Sequence, residues 1–163
     1  MSRAHIKIFS IAITATALAL SLTACGAGPN AETRNVKKVT DGAEIMIKSD
    51  GNNISVTNLL LVATEDGSAV VVGTIVNYSE ERDALLGISV NNIGAAITGE
   101  QNLDQNKPVR FEGDAATSKA VFNGVGAEAG TNVKLSLAFA RAGVVSANVI
   151  IRDKRDDYAD VTP

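Results

Sequence analysis

Beyond residue 50 the apolar positions fall in short runs of Val, Ile and Leu, broken every few residues by Gly, Asn or Asp. Residues 54–64, 68–79, 84–91, 108–112, 118–124, 133–140 and 144–152 each read as a strand, and 94–98 as a weak one. The period is clearest in VKLSLAFA, where Val133, Leu135, Leu137 and Phe139 share one face and the residues between them the other. Asp50-Gly51, Asp66-Gly67, Asn123-Gly124 and Ala142-Gly143 are turn dipeptides, and they fall in the gaps between these runs. No stretch of this region carries a sustained helical stripe with caps. The pattern predicts an all-β sandwich of about seven to eight strands.

The first residues are patterned differently. MSRAHIK carries Arg3 and Lys7, and IFSIAITATALALSLTA follows without a charge. A basic start, an apolar stretch and small residues before a cut describe a secretory signal. The apolar run ahead of Leu22 is about 14 residues, short of the ~20 that a spanning helix needs. Leu22, Thr23, Ala24 and Cys25 resemble the lipobox of bacterial lipoproteins. That resemblance implies cleavage before Cys25 and a thioether-linked diacylglycerol on its sulfur, usually with acylation of the new amino group. Two or more acyl chains hold a protein stably on a membrane, where one does not. Cys25 is the only cysteine, so no internal disulfide staples the domain, and once acylated it offers no thiol for catalysis. The expected organisation is a signal peptide over 1–24, a lipidated tether over 25–43, a β-sandwich over 44–152 and a charged, flexible tail over 153–163. The expected location is the extracytoplasmic face of the cell membrane.

Charge narrows the partners. The formal net charge is −3, and loss of Arg3 and Lys7 with the signal makes the remainder more acidic. An acidic domain without a basic stripe gains nothing from phosphate counterion release, so nucleic acid is excluded as a partner. Membrane attachment rests on the lipid rather than on charge.

GTIVNYSEERDALLGISV (73–90) and AEAGTNVKLSLAFARAGVVSANVII (127–151) resemble the PCu(A)C family of periplasmic copper chaperones, and with the lipobox the LpqE-like group of actinobacterial lipoproteins. The resemblance spans roughly residues 54–151 and implies an immunoglobulin- or cupredoxin-like sandwich. It also implies Cu(I) bound by His and Met, soft ligands suited to that ion. Here the sequence departs. Lys119 stands where the family's strand has His, Val121 where it has Met, and residues 98–100 (Thr98 to Glu100) hold neither. The mature chain has one methionine, Met46, and no histidine, since His5 lies in the signal. A Cu(I) site of the family's kind cannot be built from these residues.

Other constellations carry little chemistry. Gly124-x-Gly126-x-x-Ala129 fits a relaxed dinucleotide fingerprint, but a strand follows where that signature needs a helix, so it reads as a loop. The acidic groups Glu80, Glu81 and Asp83, and Asp153, Asp156, Asp157 and Asp160, lack calcium-loop spacing. Asn53-Ile-Ser55 and Asn77-Tyr-Ser79 match the glycosylation pattern by coincidence in a bacterial lipoprotein. Without His or a free thiol, the usual nucleophile–base pairs are closed, and the expectation is a chain that is not an enzyme, with no catalytic residue and no cofactor beyond the lipid on Cys25. Phe111, Phe122 and Phe139 are assigned to the core, and Tyr78 is the aromatic at a strand end. Function is expected in end loops such as 79–83 and 99–107, with Tyr78, Glu80, Glu81 and Asp83 as a candidate interaction loop for an extracytoplasmic protein partner. The leading reading is a non-enzymatic interaction module. The alternative is an accessory protein of copper or other metal handling, using carboxylates or assisting a true copper chaperone.

Overall fold

The computed structural model describes residues 41–163, and the lipobox residues Leu22, Thr23, Ala24 and Cys25, with the signal and nearly all of the tether, lie outside them. The domain is all-β. Its strands are β1 (Ala43–Ile47), β2 (Ile54–Ala63), β3 (Ala69–Asn77), β4 (Asp83–Val90), β5 (Ile93–Gly94), β6 (Ala96–Gly99), β7 (Asn102–Leu103), β8 (Pro108–Phe111), β9 (Ser118–Phe122), β10 (Asn132–Phe139) and β11 (Gly143–Arg152). Hydrogen bonding runs in the order β5-β4-β10-β11-β2-β3-β8-β9-β6, with β1 added to β2 and β7 to β4. One curled path therefore forms both layers of a sandwich. Most pairings are antiparallel, but β11 joins β2 in parallel through Ile151 opposite Leu61.

The alternation seen in sequence becomes burial. Leu135, Leu137 and Phe139 are buried in the core while Lys134 and Ser136 face outward. Phe111 and Phe122 are at most 2 % exposed and pack in the same cluster, as expected of them. The turn glycines Gly51, Gly67, Gly124 and Gly143 all take positive φ, which a Cβ disfavours. The Gly124–Gly126 segment is a loop, as read.

Two short elements escaped the sequence reading. β1 alternates Ala43, Ile45 and Ile47 inward with Glu44 and Met46 outward, too briefly to stand out from the polar segment before it. β7 spans only two residues. A third feature is invisible to periodicity. In β2 both Val56 and Leu59 point into the core, although they stand three positions apart. The register shifts between Thr57 and Leu60, and Asn58 takes φ 53° there. This bulge inverts the phase of the strand. Its side-chain Oδ1 accepts the Gly42 N–H at 3.0 Å, which ties β1's approach to the bulge.

After the bulge, Leu59 and Leu61 face the main core, whereas Leu60 and Val62 face the opposite side and are fully buried there too. Something must cover that second face. Among the described residues the C-terminal segment covers it, and here the structure corrects the expected flexible tail over 153–163. Val161 is 6 % exposed and forms a second small core with Leu60, Val62 and Val70, with Tyr158 packed against it. Composition alone made the segment look frayed. Two apolar residues, Tyr158 and Val161, are enough to dock it where a sheet offers an apolar outer face.

Candidate functional site

Two surfaces qualify. The first is the loop between β3 and β4, where the candidates Tyr78, Glu80, Glu81 and Asp83 lie. The buried Asn77 organises it. Its Nδ2 donates to the Glu81 carbonyl at 2.8 Å and to the Leu103 carbonyl at 2.9 Å, while its Oδ1 accepts the Ser79 N–H at 2.9 Å. The Ser79 hydroxyl in turn accepts the Asn53 N–H at 2.7 Å. Tyr78 is 48 % exposed, and Glu80 is exposed beside it. Glu81 is exposed and its carboxylate meets Arg141 at 2.5 Å, a surface pair of the kind that contributes about 0–1 kcal/mol.

Asp83 does not belong with them. It is 3 % exposed, and its carboxylate accepts three backbone N–H groups: Ala84 at 2.7 Å, Arg141 at 2.9 Å and Ala142 at 3.0 Å. Sequence neighbourhood placed it in an acidic loop. The structure turns it inward to cap the β10–β11 hairpin, so the interaction-loop candidates reduce to Tyr78, Glu80 and Glu81. Asn77 was read only as a coincidental glycosylation pattern, and no sequence signal marked it as the organiser of this loop.

The second surface lies on the outer side of β2, β3, β9 and β6. Val62 is opposite Val70, Val70 opposite Val121, and Val121 opposite Ala96, so one row crosses four strands. One step along the same face, Lys119 is opposite Thr98. The positions that the copper-chaperone resemblance pairs with metal ligands, Lys119, Val121 and Thr98–Glu100, are thus brought together by the β6–β9 ladder. Gly99 closes that ladder with φ +88°, in a place where a Cβ would stand 2.4 Å from the Thr117 carbonyl oxygen.

What occupies this surface is an ammonium under a strap. Lys119 Nζ donates to the Thr162 carbonyl at 2.8 Å and to the Thr162 hydroxyl at 3.2 Å, and it reaches the Pro163 oxygen at 3.5 Å. Glu112 Oε1 lies 3.6 Å from the same nitrogen. That oxygen is buried and accepts no hydrogen bond, and Glu112 itself takes φ 66°, a conformation that costs a non-glycine residue strain. A copper ion does not fit these residues, because a fixed cation stands at the ligand position and neither His nor Cys occurs in the described part of the chain. No group of three or more His, Cys, Asp or Glu able to hold a metal occurs among the described residues.

A clasp holds the other end of the strap. Asp41 Oδ2 accepts from Arg152 Nη2 at 2.7 Å and from the Tyr158 hydroxyl at 3.3 Å. The Arg152 hydrogen bond holds the Asp41 carboxyl below its ordinary range, and burial pushes the Tyr158 phenol up, so the phenol stays a donor. A carboxyl whose folded value lies below its unfolded one adds stability above the unfolded value and loses it as pH falls through the folded one. The clasp is therefore expected to be constant from neutrality down to about pH 4 and to loosen only below it. Amide chemical shifts of Tyr158 followed from neutral to acid check this. A midpoint at or above about pH 5 would contradict the sign.

A cleft of about 150 Å³ lies near the Gly126 loop, lined by Leu61, Val90, Val133 and Ile151 with Glu128 and Thr131 at its polar side. It is small for a ligand pocket, which spans roughly 300–1,000 Å³.

No family model matches the chain, and no curated protein matches it. Solved structures do. The apo PCuAC domain from PmoF1 matches with a TM-score of 0.55 at 20 % identity, over 68 % of this chain and 99 % of that one. The copper-bound PCuAC domain from PmoF2 matches with a TM-score of 0.56 at 16 % identity, over 68 % of this chain and 98 % of that one. The apo PmoF2 domain gives 0.56 at 16 %, over 70 % and 98 %. At these identities the likeness speaks for the fold. The chain carries the sandwich of PCuAC domains, with a strapped lysine on the face where the sequence resemblance looks for soft ligands.

Proposed function

We propose that the chain is an LpqE-like, lipid-anchored protein of the extracytoplasmic membrane face. Its PCuAC-type sandwich serves there as a non-catalytic binding module. One observation carries this reading: Lys119 and the C-terminal strap fill the face where the resemblance implies metal ligands. A scaffold altered in that way binds something other than an ion on His and Met. The diacylglycerol on Cys25 and the tether that follows it hold the module near its partner.

A second reading has the support of the fold likeness, which includes a copper-bound PCuAC domain. In it the protein is an accessory of metal handling, acting beside a protein that carries the ion. The likeness favours this alternative more directly than it favours a general binding module.

Calorimetric titration of the full mature chain with Cu(I), Cu(II), Zn²⁺ and Ca²⁺ tests both readings. The expected result is no stoichiometric tight binding of any of them, and one equivalent of tightly held Cu(I) would overturn the binding-module reading. Mass analysis of the membrane-extracted protein is expected to find the lipid on Cys25. An unmodified Cys25 would remove the anchor.

A further inference from the structure

The outer face of β2, β3 and β9 is more apolar than a solvent-facing sheet requires. Leu60, Val62 and Val70 are fully buried on that side, with Val72 and Val121 adjoining them. Among the described residues their cover is slight: Val161, and the half-buried Tyr158. The strap continues no strand after Arg152. Its backbone bonds are local turns, Tyr158 N–H to the Arg155 carbonyl, Ala159 to Asp156 and Val161 to Tyr158. Its attachment to the rest of the domain runs through side chains, Lys119 at one end and Asp41 at the other.

We propose that this sheet face is a docking surface masked in cis, and that residues 156–163 stand in the place of a partner segment bearing an aliphatic residue followed by a hydroxyl residue. The proposal rests on the binding-module reading and names the site and the class of partner. The strap itself shows what the face accepts. Val161 fills the apolar row, and the Thr162 carbonyl and hydroxyl take the Lys119 ammonium. A partner segment of the same chemistry makes both contacts.

Lys119 gives the surface two resting states. With the strap in place the ammonium is held by Thr162, and the buried Glu112 Oε1, 3.6 Å away, has no hydrogen bond. With the strap gone, Lys119 closes onto Glu112 and satisfies that oxygen, so opening leaves no stranded cation. A second partner for the ammonium is what a displaceable cover needs, since a partner segment then shifts an equilibrium between two arrangements.

The test uses the full chain and a labelled synthetic peptide with the sequence of residues 156–163. Val161→Asp removes the strap's apolar anchor and opens the face. It is expected to bind the peptide about ten-fold or more tighter than the wild type, whose face is open only part of the time. Adding Lys119→Met to Val161→Asp is expected to remove most of that gain, although the apolar row stays exposed. Tyr158→Ala opens the strap without placing a charge on it, and gives the same reading should Val161→Asp fail to fold. If the opened variants keep the wild-type far-UV spectrum and bind no peptide, or if the wild type binds it equally well, the proposal is wrong. Self-association of the opened variants on a sizing column would make a second copy the occupant and overturn the partner assignment. None of these outcomes depends on metal or on the anchor. Failure here therefore leaves the proposed function standing, and copper binding would sink that function without touching the strap.

Discussion

Replacing Asp83 with alanine is expected to destabilise the domain by about 3 kcal/mol, which lowers its melting temperature by roughly 10 °C. The carboxylate is 3 % exposed and accepts the N–H groups of Ala84, Arg141 and Ala142. Hydrogen bonds to a charged acceptor are worth about 1.5–3 kcal/mol each in favourable cases, but they share one side chain and do not add. What dominates is the state left behind, in which backbone donors at the β10–β11 turn lose their acceptor. Asparagine does not rescue it. Its oxygen serves only one side of the fork, and its amide turns a donor towards a donor. Glu80, exposed three residues earlier, is the control: Glu80→Ala is expected to stay within about 0.5 kcal/mol. Denaturant unfolding of both variants decides the matter. A loss below about 1 kcal/mol for Asp83→Ala would return this residue to the surface loop in which its sequence neighbours lie.

Phe122→Ala is expected to cost more, about 4 kcal/mol, since the ring is fully buried and its removal leaves a void that packed neighbours close only in part. Phe122 stands opposite Ala69 in the β3–β9 pairing, so the residue beside it across the ladder is too small to fill the space. Val121 offers the contrast. It lies one position away, on the face beneath the strap, and packs against the smaller cluster around Leu60 and Val62. Chemical denaturation is expected to rank Phe122→Ala well above Val121→Ala. Equal losses would mean that the two faces of β9 are not as different as their packing says.

Much of the fold was legible because a half-buried strand writes its orientation into every second residue. VKLSLAFA, the turn glycines and the three core phenylalanines all read correctly for that reason. Legibility failed where burial depends on partners distant in sequence. In LLLV (59–62), four consecutive residues are buried, alternately on two sides. Periodicity cannot report that, since an apolar run looks the same whichever element covers its second face. The bulge at Asn58 hides a phase change in the same strand, because its cause is a left-handed backbone with an Oδ1 bonded to Gly42.

The candidate site divides along the same line. That the described chain lacks His and Cys, and that Lys119 and Val121 stand in β9, are facts of sequence, and they limit what chemistry the domain performs. Which of the acidic residues after Tyr78 faces solvent is a tertiary fact, settled by three backbone N–H groups that converge on Asp83, one from β4 and two from the β10–β11 turn. The strap is tertiary as well. Two apolar residues in a charged segment carry no period of their own, and they acquired a place only when β2, β3 and β9 had folded into a surface that excludes water better with them than without. Sequence determined the strands, their inward faces and the missing soft ligands, because each of these is local. The tertiary structure decided what covers the outer face and what holds the lysine there, because both depend on residues more than forty positions apart meeting across a sheet.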